Sequence, residues 1–173
     1  MDMKKVLVTG LTSTPKYLPG WYRYDNEGSR LNDLCLHENE NYYFHRCELS
    51  VMKTHLQNII PVDTENTILV DLGSGNCHKA RLFIDEILKR HKNLSFYPVD
   101  ISHEFLLDVC KQLADEYGTK LVINPIGADY EAGIAEISKC YQSKVILWFG
   151  SIQNLEPGDQ IRKLQLLRSA MTG

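Results

Sequence analysis

One stretch near the middle of the chain, residues 67–83, most constrains how it folds. It begins with an apolar run at residues 68–70 that ends at Asp71, and a Gly-Ser-Gly turn at residues 73–75 then leads into a helical apolar pattern. This order predicts a buried parallel strand, a glycine turn and an α-helix. Because glycine lacks a Cβ, it permits unusual backbone dihedrals and the close approach of a ligand. The stretch therefore predicts a nucleotide-like ligand at the turn.

The residues at the turn narrow the choice of ligand class. A dinucleotide fingerprint, G-x-G-x-x-G, requires a third glycine, and His78 stands in its place. Acidic residues end this strand, at Asp71, and the next strand, at Asp100. A carboxylate accepts two charge-assisted hydrogen bonds from a ribose diol, and it also suits a cation. S-adenosylmethionine, which has a sulfonium and a ribose but no phosphate, fits this pattern. The alternative is that the glycines only make a tight strand-to-helix turn.

Composition and charge narrow the class of protein. The chain has 173 residues, 43% of them hydrophobic, which is enough for one domain with a hydrophobic core. A net charge of −3 and dispersed basic residues argue against a nucleic-acid partner. The five cysteines form no C-x-x-C pair, so we expect free thiols in a reducing compartment. No run resembles a signal peptide or a membrane span, and we expect a cytoplasmic protein with no membrane partner.

The six histidines give no sign of a metal site. They are spread along the chain without the spacing that metal ligands show. We therefore predict no bound metal and expect the histidines to be surface or capping residues.

The segment before the central stretch is predicted to be an arm. Residues 1–27 show little regular pattern, and a short helix capped by Ser29 is expected after them. An amphipathic helix that ends at Pro61 follows. The residues expected on the inner face of the short helix are Leu31, Leu34 and Cys35. We predict that residues 1–61 form a lid over substrate and cofactor.

Strands and helices alternate through the rest of the chain. Further strands are predicted at residues 94–99, 121–123 and 145–149, the last of them fully buried. The alternation predicts an α/β fold with a mostly parallel sheet, so that residues 62–173 form a Rossmann-like domain. Ligands then bind at the carboxyl ends of the strands. The residues expected at that edge are Asp71 with its glycines, Asp100, the pair Asp129 and Tyr130, and Gly150 with Ser151.

Four longer motifs resemble those of one known family. They are Pro-Lys-Tyr-Leu-Pro-Gly-Trp-Tyr-Arg-Tyr-Asp-Asn-Glu-Gly-Ser-Arg-Leu at 15–31, Glu-Asn-Tyr-Tyr-Phe-His-Arg-Cys-Glu at 40–48, Asp-Leu-Gly-Ser-Gly-Asn-Cys-His-Lys-Ala-Arg at 71–81 and Ala-Asp-Tyr-Glu at 128–131. Over essentially its whole length the chain resembles the histidine-specific, S-adenosylmethionine-dependent Nα-methyltransferases of ergothioneine biosynthesis. The resemblance implies a class I methyltransferase sheet and methylation of the α-amine of histidine or a related small amine.

The resemblance also implies site residues. Those expected to bind S-adenosylmethionine are Gly73, Gly75, Lys79, Asp100, Asp129 and Tyr130. Asp100 would hold the ribose, and Asp129 with Tyr130 the adenine. Those expected near the amino-acid substrate are Tyr24, Tyr42, Gly150 and Asn154. No catalytic acid or base is assigned, because such a transfer depends on positioning the reactants and excluding water.

Two departures from the family pattern leave the function open. The family's Gly-Ser-Thr-Ile-Gly-Asn loop is one residue shorter here, at residues 150–154, and family members are roughly twice as long. We expect a sheet truncated after its fourth strand, in the order 3-2-1-4, with that strand at an edge. An exposed apolar edge favours pairing, so we expect either a homodimer through strand four or a missing C-terminal half. The alternative function is a catalytically impaired module that binds S-adenosylmethionine or S-adenosylhomocysteine and acts through a protein partner.

Overall fold

Helices dominate the N-terminal third of the chain. The computed structural model describes residues 3–61 and 64–171. The first helices are α1 (Met3–Thr12), α2 (Asn26–Glu38) and α3 (Tyr43–Ile59), with a 3₁₀ turn at Gly20–Arg23. The domain boundary predicted after residue 61 adjoins residues 62–63, which lie outside the described residues. None of the helices in the described ranges is long and apolar enough to cross a membrane.

A parallel sheet forms the centre of the remaining chain. Its strands are β1 (Thr67–Leu72), β2 (Leu94–Asp100), β3 (Leu121–Ile123), β4 (Ile126–Gly127) and β5 (Ser143–Leu147). All pairings are parallel, in the order β3-β2-β1-β5, and β4 continues beside β2 after β3. The predicted α/β class and strand order are confirmed, and β4 is an addition to them.

The last strand, β5, is less buried than its apolar sequence predicts. Val145, Ile146 and Trp148 are half-buried, and only Leu147 is fully buried. The prediction of a fully buried strand is wrong because β5 pairs with β1 on one side and, among the described residues, with no strand on the other.

Helices cover both faces of the sheet. The remaining helices are α4 (His78–Leu88), α5 (His103–Tyr117), α6 (Tyr130–Ile137) and α7 (Pro157–Met171). Leu69 of β1 packs toward α3, α4 and α5, whereas its neighbours Ile68 and Val70 pack toward α6 and α7. This alternation follows from the two-residue period of a strand. The turns that follow the carboxyl ends of β1 and β2 contact the N-terminal helices, since Asn76 and Ser102 hydrogen-bond to residues of α2.

The N-terminal segment is more ordered than its sequence pattern indicates. Helix α1 forms where no regular pattern was predicted, and it carries the poor helix formers Val, Thr and Gly. The chain returns against this helix, since the Tyr17 N–H donates to the Gly10 carbonyl at 3.0 Å. A Cβ on Gly10 would lie 2.4 Å from the Tyr17 carbonyl oxygen. Close backbone packing, rather than periodicity, places α1.

The orientation of helix α2 reverses the prediction made for it. The helix begins at Asn26, three residues before the predicted cap Ser29, and Asp25 caps it by accepting from the Gly28 N–H at 2.7 Å. Ser29 is buried. The predicted inner face is instead exposed: Leu31, Leu34 and Cys35. The prediction is wrong because the polar side of α2 hydrogen-bonds to the domain and leaves the apolar side outward.

Candidate cofactor and substrate site

The turn after β1 is fastened to the end of β2. The N–H groups of Gly73 and Ser74 both donate to the Val99 carbonyl, at 2.8 and 3.1 Å. Gly73 has φ +73° and Gly75 φ +50°, a region that side chains with a Cβ rarely adopt. The sequence Gly-Ser-Gly therefore satisfies a backbone requirement of this turn.

Gly73 is also sterically restricted by its neighbours, whereas Gly75 is not. A Cβ on Gly73 would lie 2.6 Å from the Ser151 Oγ and 3.0 Å from the Tyr130 hydroxyl. A Cβ on Gly75 would have no atom within 4 Å. Gly73 thus forms a floor at which the end of β1, the start of α6 and the segment after β5 converge, and any side chain there would fill the cleft.

Asp100 presents its carboxylate to the same turn. Its Oδ2 accepts from the Gly75 N–H at 2.9 Å, and its Oδ1 accepts from the Ser102 N–H at 2.9 Å. Burial raises the pKa of Asp100, and the backbone donors partly offset this. A carboxylate has about four lone-pair positions, so the two bonds leave acceptor capacity for a ligand hydroxyl.

Asp71 is a buried carboxyl at the end of β1. Burial, and then the neighbouring Asp100, raise its pKa to about 7, while Lys79 acts in the opposite direction. Two carboxyl groups at adjacent strand ends give the cleft a negative potential that a cation would relieve. The sequence-based expectation of a cationic ligand at this edge is consistent with these surroundings.

Tyr130 and Trp148 form an aromatic wall beside Gly73. Their ring centroids are 5.0 Å apart, and Trp148 Nε1 is buried without a hydrogen-bond partner in the part of the chain described here. Asp129 is exposed and caps α6, since its Oδ1 accepts from the Ala132 N–H at 3.0 Å. The pairing of β4 with β2 extends one residue further, because the Ala128 N–H donates to the Asp100 carbonyl at 3.0 Å. This bond places Asp129 beside the end of β2.

Lys79 does not point freely into solvent. Its Nζ forms an ion pair with Glu48 of α3 and lies 5.4 Å from the centroid of the Phe149 ring. The pair joins the N-terminal helices to α4. Sequence reasoning found both residues in family-like motifs but did not predict that they pair.

Two of the four predicted substrate residues meet across the cleft. The Asn154 amide donates to the Tyr24 hydroxyl at 3.2 Å, and Arg23 donates to the Asn154 Oδ1 at 3.2 Å. Gly150, at φ +64° and ψ −46°, is the central residue of a γ-turn that starts the segment carrying Asn154. Tyr42 stands at the N-terminus of α3, is 41% exposed, and is not part of this pair.

Sequence reasoning missed a set of polar contacts between the arm and the cleft. Ser102 holds the N-cap position of α5, but its hydroxyl donates to the Asn26 Oδ1 at 2.9 Å instead of capping the helix. Asn76 of the turn donates to Asp33 of α2. No periodic signal marks such residues; the only clue is their position in a turn or at a strand end.

Comparisons with known proteins agree with the sequence resemblance. A family model described as histidine-specific methyltransferase, SAM-dependent, matches residues 3–173. The histidine N-alpha-methyltransferase of Mycobacterium tuberculosis is 29% identical over 171 residues, which cover 99% of this chain and 52% of that protein. The N-methyltransferase benX of Aspergillus terreus is 34% identical over 118 residues, or 68% of this chain and 32% of that protein.

A third relative has a different named substrate. The 4-dimethylallyltryptophan N-methyltransferase easF of Epichloe festucae var. lolii is 31% identical over 97 residues, covering 56% of this chain and 28% of that protein. The chain spans about half the length of the histidine methyltransferase from Mycobacterium tuberculosis, and less of the two fungal relatives.

Proposed function

Since the chain belongs to the family of histidine-specific, S-adenosylmethionine-dependent methyltransferases, we propose that it binds S-adenosylmethionine and methylates the α-amine of histidine or a related amino acid. The observation that carries the proposal is the junction of Gly73 with Asp100. There a side-chain-free floor lies beside a carboxylate with spare acceptor capacity. The named substrates of the relatives, histidine and 4-dimethylallyltryptophan, support an amino acid as acceptor.

The residues of the cleft fit S-adenosylmethionine. Asp100 would accept from the ribose hydroxyls, and Gly73 would let the ligand lie against the backbone. Tyr130 and Trp148 would contact the adenine, with Asp129 at the rim, and Asp71 would face positive charge on the ligand. Lys79 would act through Glu48, because that ion pair holds α3 against α4. Gly75 would orient Asp100 through its N–H.

The chain's contribution to methyl transfer is positioning. S-adenosylmethionine, when bound, supplies a methyl group on a sulfonium. The acceptor nitrogen must offer a neutral lone pair in line with that methyl group, and the amine proton then leaves to solvent. Tyr24 and Asn154, which hydrogen-bond to each other, would hold the amino acid, and Tyr42 and Gly150 would border the same space. Holding two reactants in this geometry accounts for a large share of such catalysis.

We propose that residues 1–61 act as a lid. In this view residues 62–173 bind the cofactor, and the arm completes the substrate side of the cleft. The contacts from Asn26 to Ser102 and from Asp33 to Asn76 support this view. We further propose that the protein acts in the cytoplasm on a small molecule, and that β5 forms a homodimer contact or the seat of a C-terminal half.

The substrate assignment predicts the behaviour of an Asn154 variant. In an assay that follows labelled methyl transfer from S-adenosylmethionine to histidine, Asn154→Ala is expected to raise the KM for histidine at least tenfold. The reason is the loss of a hydrogen-bonding group, worth about 1.5–3 kcal/mol when the partner is charged. Affinity for S-adenosylhomocysteine should change less than about twofold.

Gln153→Ala is the matched control for this variant. Gln153 lies in the same 3₁₀ segment and is exposed, so its loss should leave both constants unchanged. Equal effects of the two substitutions would contradict the role of Asn154. Cofactor binding without transfer in the unmodified protein would support the impaired-module alternative over the enzyme.

The raised pKa of Asp71 predicts that cofactor binding releases protons. In the free protein Asp71 is about half protonated near pH 7, because its pKa is about 7. A cation beside it favours the ionised form and lowers that pKa. Calorimetry at pH 6.5 in two buffers of different ionisation enthalpy should therefore give different apparent binding enthalpies for S-adenosylmethionine, and affinity should fall as the pH drops below 7.

Asp71→Asn is the control, because it keeps the shape and removes the titration. Its apparent enthalpies should agree between the two buffers. The stability of the free protein depends on pH in the opposite direction to its affinity for the cofactor. Because the folded-state pKa of Asp71 lies above the unfolded value near 4, the contribution of Asp71 to stability is lost as the pH rises through 7. Identical enthalpies for the unmodified protein in both buffers would contradict the role of Asp71.

A further inference from the structure

Three histidines meet at the junction between the N-terminal helices and the cofactor turn. The ring centroids of His37, His45 and His78 are 5.5 to 6.0 Å apart in all three pairs. They belong to α2, α3 and the first turn of α4, respectively. The prediction that the histidines are scattered is wrong for these three, because helices distant in sequence pack together here. We refer to them as the histidine cluster.

The cluster lies on the contacts that hold the arm to the turn. His78 follows the turn directly, and its backbone N–H donates to the Asn76 Oδ1 at 2.8 Å. The amide of Asn76 donates in turn to Asp33 of α2. His37 is one helical turn after Asp33, and its Nδ1 lies 2.8 Å from the Asp33 carbonyl oxygen. Separating the rings would therefore pull α2 and α3 away from the turn that bears Gly73 and Gly75.

The most buried member of the cluster is poorly suited to carry charge. His45 is only 5% exposed, and its Nε2 has no hydrogen-bond partner among the described residues. Burial lowers the pKa of His45, as do Lys79 and the other two rings. Burial is also the main cause that lowers the pKa of His78, followed by His37. Protonation of either ring thus opposes the packing seen here.

The charged side chains around the cluster do not balance a positive charge on several rings at once. The charged groups acting on the cluster are Lys79, Glu48, Arg81, Lys53 and Asp33. Glu48 is paired with Lys79 and Arg81 with Glu116, so Asp33, beside His37, is the anion of this set that can face a charged ring. One carboxylate cannot balance a positive charge on more than one ring. A second positive charge on rings whose centroids are 5.5 to 6.0 Å apart would be repelled by the first.

We propose that the histidine cluster is a proton-sensitive latch. Neutral rings hold α2 and α3 against the cofactor turn, and protonation of the cluster releases them from α4. A metal ion is a less suitable occupant, because no group of three or more His, Cys, Asp or Glu side chains within residues 3–61 and 64–171 is placed to hold one. The release itself is independent of the proposed function, and only its effect on cofactor binding rests on that function.

The direction of the pH dependence follows from the lowered pKa values. An unfolded histidine has a pKa near 6.5, and the docked rings of His45 and His78 titrate below it. Docking is therefore fully stabilised above about pH 6.5, and this stabilisation is lost as the pH falls from there through the lower pKa values of the docked rings.

Hydrogen–deuterium exchange of the protein without ligand tests the latch. After correction for intrinsic rates, protection of amides in α2 and α3 should fall at least tenfold between pH 7.5 and pH 5.5, while amides of β1 and β2 change less. His37→Gln and His78→Gln should each reduce this fall at least threefold. Two single variants are used because neither ring is fully buried and each should allow folding.

His55→Gln is the matched control. His55 is an exposed residue of α3 that is not part of the cluster, so its variant should behave like the unmodified protein. An equal pH effect in all variants, or none in the unmodified protein, would overturn the latch. A loss of protection at pH 7.5 on adding a chelator would also overturn it and identify a metal as the occupant.

Discussion

Asp100→Ala is expected to weaken the binding of S-adenosylhomocysteine at least a hundredfold in a calorimetric titration. The carboxylate would make charge-assisted hydrogen bonds to the ribose, and such bonds contribute about 1.5–3 kcal/mol each. A loss of about 3 kcal/mol corresponds to roughly a hundredfold in Kd. The substitution also removes the acceptor of the Gly75 and Ser102 N–H groups, which further disorders the turn.

Two further variants separate charge from fold in this experiment. Asp100→Asn keeps the shape of the side chain and one acceptor oxygen, so that an intermediate loss of affinity is expected. Asp108→Ala removes an exposed aspartate that pairs with Arg30 between α5 and the arm, and binding should remain within about twofold. Equal affinities of Asp100→Ala and Asp108→Ala would show that the cleft does not bind the cofactor through Asp100.

Gly73→Ala is expected to abolish cofactor binding and to lower the free energy of unfolding by about 2–5 kcal/mol. A residue with a Cβ pays about 1–2 kcal/mol at a φ of this kind, and overpacking costs about 1–3 kcal/mol more. The Cβ would lie 2.6 Å from the Ser151 Oγ, at φ +73°. Denaturant unfolding measures the loss of stability, and calorimetry with S-adenosylhomocysteine measures the loss of cofactor binding.

Gly75→Ala provides the comparison within the same turn. Gly75 also has a positive φ, +50°, but a Cβ there would meet no atom within 4 Å. Only the backbone cost of about 1–2 kcal/mol is then expected. If both variants lose the same stability and affinity, the close approach of Ser151 and Tyr130 to Gly73 does not shape the cleft.

Local chemistry made the sheet, and the residues that meet at the carboxyl ends of its strands, predictable. The apolar run before Asp71, the two glycines and the aspartate that ends β2 each satisfy a rule that acts within a few residues. The strand order and the convergence of these residues at one edge then follow from parallel α/β topology. The short strand β3 was predicted for the same reason.

Contacts between distant segments were not predictable in this way. Helix α2 was expected to turn Leu31 and Leu34 inward, because a periodic apolar stripe normally faces the core. Its polar residues Asn26 and Asp33 dock on the turn instead. The pairing of Lys79 with Glu48 and the meeting of the three histidines depend on the same docking. No local pattern encodes it, since the partners lie in different elements.

Apolar surface outside the cleft bears on the predicted partner. Ile161 and Leu164 of α7 are exposed, as are Leu31 and Leu34 of α2. The outer edge of β5 is unpaired within the described residues. These features are consistent with a homodimer contact or a C-terminal half at β5, and both stay predictions.

Calorimetric titration with S-adenosylhomocysteine, repeated with histidine present, tests the proposed function most directly. Our account predicts micromolar binding that histidine tightens at least about fivefold, since an amino acid held by Tyr24 and Asn154 would close the cleft over the cofactor. Binding that histidine does not change would contradict the amino-acid site and leave a cofactor-holding module. The absence of any binding would contradict the proposal for this chain as a whole.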